Sequence, residues 1–199
     1  MAPSTARPAR ARLLEAASRL FYAHGMNATG IDAVVAEADV AKKSLYNNFS
    51  SKEELMLAYI EARHEEWLQL YREREELASS ATARVLAVFD AYIDHASQAY
   101  EHGFRGCGLL NAAAELPAGA AGRTAVRQHK EQVEAILAEH LRSLTAEADE
   151  GERVAVATAE HLSFLLEGAI SRAGLEGGPD RLRHARALAA SLLETLAAR

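Results

Sequence analysis

The sequence predicts an all-α protein, with an N-terminal three-helix head of helix-turn-helix type and a larger helical body, about nine helices in total. Three observations carry this expectation. Ala and Leu dominate a 199-residue chain that is 49% apolar and holds only four prolines, and both residues enter helices at little entropic cost. Apolar residues return at three- and four-residue spacing, while alternating β-branched and aromatic runs are missing. Glycine, proline or a capping hydroxyl punctuates the pattern at helix-sized intervals.

Leu13, Leu14, Ala17, Leu20 and Phe21 mark a first helix that stops near Gly25. Thr29 and Asp32 form a variant capping box for a short second helix on Ile31, Val34, Val35 and Ala38. Asp39 and Val40 make a turn, and a third short helix runs from about Ala41 to Asn47 with Leu45 inward. Ser51-Lys-Glu-Glu54 is a capping box opening a long fourth helix, 51–78, through Leu55, Tyr59, Ile60, Trp67, Leu70 and Tyr71. A fifth helix is expected over about Ala81–Glu101, ended by Gly103-Phe-Arg-Gly-Cys-Gly108, and a short sixth over Leu109–Leu116, stopped by Pro117. Three more follow, at about Arg123–Ala146, Gly151–Gly174 and Pro179–Ala198.

The single cysteine, Cys107, excludes an intramolecular disulfide and fits a reducing compartment. No secretory signal opens the chain and no apolar run approaches a membrane span, so a soluble cytoplasmic protein without a membrane partner is expected. The net charge of −6 is unevenly spread. Residues 1–52 carry seven bases and four acids, whereas the remainder carries fifteen bases and twenty-four acids. Three of the four lysines fall at Lys42, Lys43 and Lys52. A basic head on an acidic body suits a polyanionic partner met by the head alone.

Two short helices joined by a tight turn form a helix-turn-helix whose second helix can enter the DNA major groove. Ile31, Val34, Val35, Val40 and Leu45 fix the pair, leaving Lys42, Lys43, Ser44, Tyr46 and Asn47 to face outward. Lysine neutralises phosphate, while Asn and Ser read base edges. Phe49 is read as a core aromatic that helps hold the motif together. The bland alternative for the rest is a solvated basic face, with Tyr46 also in the core. Arg7, Arg10 and Arg12 are read as a solvated, frayed end, with an arm along DNA as the alternative.

Residues 25–55 closely resemble the DNA-binding domain of TetR-family transcriptional repressors. The matching positions are Gly25, Thr29, Ile31, Val34, Ala38, Val40, Lys42, Ser44, Leu45, Tyr46, Phe49, Ser51, Lys52, Glu53 and Leu55. The resemblance implies a DNA-binding head at 1–50 and a ligand-binding and dimerisation domain at 51–199, linked by the fourth helix. It also implies phosphate contacts from Lys42, Tyr46, Lys52 and the Thr29 hydroxyl, and base reading by Lys43, Ser44 and Asn47. Asn48 stands where a phosphate-binding His is common. Asp39 departs from the usual turn glycine, Ala41 from a usual Ser/Thr cap, and Lys43 from a common glycine. The implied activity is repression from a palindromic operator by a homodimer that a small-molecule effector releases. The alternatives are a dimeric DNA-binding protein without an effector and a helical enzyme.

In the body, the last two helices carry wide apolar faces. Leu162, Leu165, Ala169, Leu182, Ala185, Ala189, Leu192 and Leu196 are the candidate dimer contacts, forming a four-helix bundle across a two-fold axis. Candidate effector-pocket residues are polar or aromatic groups on apolar faces: Phe89, Tyr92, Phe104, Asn111, Glu115, His129, His161 and Phe164. No phosphate loop, dinucleotide fingerprint or nucleophile elbow occurs, and His64-Glu-Glu-Trp-Leu68 lacks the second His of a zinc-protease motif. With those motifs missing, neither enzyme activity nor a cofactor is expected. A metal held by Glu115, His129 and His161 is the open alternative, but their spacings are no metal signature, so none is assigned.

Overall fold

The structure is a computed structural model describing residues 8–98, 103–146 and 150–197. Among these residues all regular structure is helical: α1 (Ala9–His24), α2 (Ile31–Glu37), α3 (Lys42–Asn48), α4 (Lys52–Glu76), α5 (Ala81–Ala96), α6 (Gly108–Ala114), α7 (Ala121–Thr145), α8 (Gly151–Glu176) and α9 (Asp180–Ala197). The fifth helix ends at Ala96 with Ser97 as its C-cap, short of the Glu101 expected from the sequence. The expected end of the ninth at Ala198 lies outside the described residues, as does Arg7. No helix among the described residues is long and apolar enough to cross a membrane.

The chain divides into two compact units, and the division differs from a break at residue 50. The first comprises residues up to Arg63 together with Gly108–Val126; the second comprises His64–Cys107 and the residues from Arg127 onward. The head therefore shares its unit with the first half of α4, with α6 and with the start of α7. Patterning along the chain gives a short sixth helix over Leu109–Leu116 but no sign of which core it enters.

In the first unit, Leu13, Ala17 and Phe21 of α1 pack with Val34 of α2, Leu45 of α3 and Leu55 and Tyr59 of α4, all at most 3% exposed. Phe21 meets Tyr59 edge to face at a centroid distance of 5.5 Å. Each buried Leu or Phe contributes about 1.5–3 kcal/mol of transfer free energy, which holds two seven-residue helices too short to persist alone. Glycine at 108 lets α6 close on α4, since a Cβ there would stand 3.1 Å from Tyr59 Oη and 3.2 Å from the Tyr22 ring.

In the second unit, α5, α8 and α9 pack together. The Arg186 guanidinium of α9 grips Asp90 of α5 through two hydrogen bonds of 2.6 and 3.0 Å. The buried stripe of α8 runs through Ala155, Ala159, Leu162, Leu166, Ile170 and Ala173. His161 falls just off that stripe, about 100° from Leu162.

Candidate functional site

The outer face of the head follows from which residues its core consumes. Leu45 and Phe49 point inward at 0% and 1% exposure. That leaves Lys42, Lys43, Tyr46 and Asn47 exposed along α3, with Ser44 and Asn48 half-buried at its margins. Tyr46 is 52% exposed, so it is a surface residue and not a core aromatic.

Several local contacts set this face. Asp39 occupies the turn between α2 and α3 with φ +50°, the left-handed region that Asp tolerates better than most residues. Arg12 of α1 donates to the Asp39 carbonyl at 2.6 Å and to its carboxylate at 3.2 Å. Arg10 lies 4.8 Å from the centre of the Phe49 ring, a cation–π contact. Arg10 and Arg12 thus belong to α1 and brace the motif, in place of the frayed end expected for them. Arg19 ties α1 to α2 through Glu37 at 2.7 Å, and this pairing raises its pKa.

Ala41 caps α3 without any side-chain hydrogen bond, so the expected loss of a cap stands uncompensated there. Lys42 pairs with Asp32 of α2 at 2.7 Å; the hydrogen bond to that carboxylate holds its pKa above the ordinary value. Asn48 donates to the Ser44 carbonyl at 2.7 Å, closing α3 and keeping one amide hydrogen for another acceptor. Lys52 reaches the Asn27 carbonyl at 3.4 Å.

Two expectations change here. α2 is capped by Gly30, with no side-chain cap bond. The Thr29 hydroxyl instead donates to the Gly25 carbonyl at 2.7 Å, and Thr29 is only 4% exposed. Its single proton is consumed in the turn, so it supports the loop and offers no free donor to a phosphate. The α4 cap is split between two serines: Ser51 Oγ accepts the Glu54 N–H at 3.2 Å, while the Glu54 carboxylate accepts the Ser50 N–H at 2.7 Å.

Residues 13–59 match the family model of bacterial regulatory proteins, tetR family, and residues 81–189 match that of the tetracyclin repressor-like C-terminal domain. The chain belongs to the TetR family. Its structure superposes on that of a TetR-family transcriptional regulator from Streptomyces coelicolor with a TM-score of 0.83, at 31% identity, covering 96% of both chains. The regulatory protein TetR from Rhodobacter sphaeroides superposes with a TM-score of 0.75 at 27% identity, over 92% of this chain and 97% of that one. The HTH-type transcriptional activator FasR of Mycolicibacterium smegmatis is 41% identical over 96 residues, which are 46% of this chain and 43% of that protein. The matched stretch spans less than half of that relative. The chain is a TetR-family transcriptional regulator, and members of this family are DNA-binding regulators rather than enzymes.

In this TetR-family body, the eight pocket candidates separate into three groups. Phe89, Tyr92, Phe104 and His129 are buried in the second unit. Asn111 and Glu115 belong to the first unit with the head, and the Glu115 carboxylate binds backbone N–H groups of Met26 and Asn27. His161 and Phe164 are exposed on α8, Phe164 at 63%. Both lie outside the buried stripe: the four-residue spacing of Ala157, His161 and Leu165 suggests an inward row around His161, but the stripe through Leu162 and Leu166 runs one residue out of phase with it.

The buried group forms a directed hydrogen-bond chain. Lys130 pairs with Glu167 at 2.7 Å and stands 3.5 Å from Tyr92 Oη. Tyr92 Oη is 3.3 Å from His129 Nε2, and His129 Nδ1 is 2.9 Å from His64 Nδ1. Lysine only donates, so the tyrosine oxygen accepts from it and gives its own proton to His129 Nε2. His129 then carries its proton on Nδ1 and donates to His64. Burial depresses the His129 pKa to about 2, and its accepting role matches the neutral ring. Burial alone would lower the Lys130 pKa, but Cys107, Tyr92 and Glu167 outweigh it and raise it, keeping the lysine charged. Trp67 packs edge-on to His129 at 5.3 Å and stacks on Tyr71 at 5.6 Å. Its Nε1–H is buried and meets no acceptor among the described residues.

The dimer candidates divide as well. Leu162, Leu182, Ala185 and Ala189 are at most 2% exposed, so packing within the unit already uses most of their surface. Leu165 and Ala169 line a groove of about 430 Å³ between α8 and α9, with Phe164 and Leu188 at its sides. Leu192 is 42% exposed and Leu196 half-buried. Arg12, Lys130 and His64 were absent from the sequence-derived candidates. Only Lys130 carried a signal, as the one lysine beyond residue 52.

Proposed function

We propose that the protein binds a palindromic DNA operator as a homodimer, represses transcription from it, and is released by a small-molecule effector held in the helical body. The observation carrying this reading is the division of α3: Leu45 is fully buried while Lys43, Tyr46 and Asn47 are exposed beside it. A helix so anchored presents donors to base edges and phosphates in the major groove. Lys43, Ser44 and Asn47 are the base-reading set, with Lys42, Tyr46, Asn48 and Lys52 on phosphates.

Homodimerisation is supported by the apolar surface that α8 and α9 leave uncovered. Phe164, Leu188 and Leu192 are each more than 40% exposed along it, and an isologous pairing would seat the same patch of one protomer on the other. Effector binding is supported by the buried, neutral His129–Tyr92 chain and by the unpaired Trp67 N–H, which a ligand bearing an acceptor would satisfy. Release is then a population shift that alters the spacing of two heads from the one matching major grooves about 34 Å apart.

Activation is the second reading, favoured by the name of the FasR relative. Selection from random duplex DNA, followed by transcription in vitro from a promoter carrying the selected site, tests both. Enrichment of two-fold related half-sites with reduced transcript supports repression, and raised transcript supports activation. No enriched sequence would overturn both.

A further inference from the structure

Glu115 follows directly on α6, and its carboxylate accepts the backbone N–H of Met26 at 2.9 Å and that of Asn27 at 2.7 Å. In return, Asn27 Nδ2 donates to the Glu115 carbonyl at 3.0 Å. Three hydrogen bonds thus join the end of α6 to the loop between α1 and α2. Successive N–H groups aimed at one anion form a nest, and here the anion is supplied by the chain itself. Gly25 makes the nest possible twice over. Its φ of +92° suits glycine, and a Cβ there would stand 2.9 Å from Glu115 Oε1.

The latched loop leads straight into the DNA-reading motif. Its Gly25 carbonyl accepts from Thr29, one residue before the α2 cap, and its Asn27 carbonyl accepts from Lys52 at the start of α4. On the other side, α6 begins immediately after Cys107, whose Sγ lies 3.7 Å from Lys130 Nζ in the buried cluster of the body. Only the seven residues of α6, Gly108–Ala114, therefore separate Cys107 of that cluster from Glu115 of the latch.

We infer that Glu115 is a positioning residue for DNA recognition: its carboxylate sets the α1–α2 loop, and withdrawing α6 opens the nest and lowers operator affinity. This rests on the DNA-binding reading above. Charge-assisted hydrogen bonds are short and directional, so a small shift of α6 removes both amide contacts together.

The test is operator affinity of full-length wild type, Glu115→Ala, Glu115→Gln, Asn27→Ala and the Glu115→Ala/Asn27→Ala double variant. Stoichiometric titration fixes the active fraction of each, and circular dichroism confirms folding. Glu115→Ala is expected to weaken binding about ten-fold or more, with an unchanged salt slope because it removes no phosphate contact. Gln keeps one acceptor but turns an NH₂ toward the second amide, so it falls between Ala and wild type. The double variant is expected to be no weaker than Glu115→Ala, because both side chains serve one latch.

Wild-type affinity in Glu115→Ala would overturn the inference. So would tighter binding, which would show Glu115 acting only as a negative charge near DNA, or a reduced active fraction at unchanged affinity, which is a purely structural role. Wild type that selects no DNA sequence would instead overturn the functional reading itself.

Discussion

The Arg12 guanidinium donates to the carbonyl of Asp39 at 2.6 Å, joining the first helix to the left-handed residue on which the helix-turn-helix pivots. A glycine at that turn would need no such support. Aspartate does, because its Cβ disfavours φ > 0, and the arginine holds both its carbonyl and its carboxylate.

Removing the Arg12 side chain should therefore loosen the turn without touching the head core. Arg12→Ala is expected to cost about 1 kcal/mol of stability and to weaken operator binding, whereas Arg12→Ala in an Asp39→Gly background should cost less, since glycine takes φ > 0 freely. Urea unfolding of the single and double variants checks this, and equal losses in both backgrounds would contradict it.

Lys52 and Tyr46 are proposed phosphate contacts, so their loss should weaken binding to all DNA sequences alike. Lys52→Ala is expected to reduce the magnitude of the salt slope by about 1, and Tyr46→Phe to weaken binding with little change of slope. Lys42 should contribute less to the slope than Lys52, because Asp32 already neutralises it at 2.7 Å. Affinity titrations at several salt concentrations read all three.

Acid should destabilise the body through His129. Its folded pKa is about 2 against an ordinary 6.5, so the unfolded chain takes up a proton below pH 6.5 that the folded state refuses until far lower. The stabilisation is complete above pH 6.5 and declines as pH falls, at no more than about 1.4 kcal/mol per pH unit. Between pH 7 and 5 this gives about 2 kcal/mol as an upper bound. His140, also depressed chiefly by burial, acts in the same direction. Urea unfolding at both pH values should show a shallower decline for His129→Gln, and an unchanged decline would rule out this origin.

The exposed Phe164 offers a direct handle on assembly. In an isologous interface a charge at this position appears on both protomers, so Phe164→Glu should raise the dimer dissociation constant by about ten-fold or more and leave monomer stability nearly unchanged. Sedimentation velocity across a concentration series measures it. Undiminished dimer would move the interface elsewhere, and a monomeric wild type would remove it.

The all-helical fold was legible because Ala/Leu periodicity and breakers such as Gly25, Pro117 and Gly177 are local signals. α3 was legible because Leu45 and Phe49, four residues apart, define its inner side and hence its outer one. Long-range partners were not. Nothing near Glu115 says that its carboxylate reaches Asn27, 88 residues away, and nothing near Arg12 says that it meets Asp39. The phase of α8 slipped because alanine is ambiguous: Ala155 and Ala159 line the core, whereas Ala157 does not. Leu162 and Leu182 were assigned to an interface because an apolar helix face looks alike whether its own unit or a partner covers it.

The most direct measurement is selection of binding sites from random duplex DNA with wild type and Lys43→Ala side by side. Lys43 stands exposed on α3 where the family commonly has glycine, and lysine pairs with guanine O6 and N7. Two-fold related half-sites are expected for wild type, with preference lost at one position per half-site in the variant, amounting to about 1–3 kcal/mol of discrimination. The same preferred sequence at undiminished selectivity in both proteins would contradict a reading face on α3 that includes Lys43.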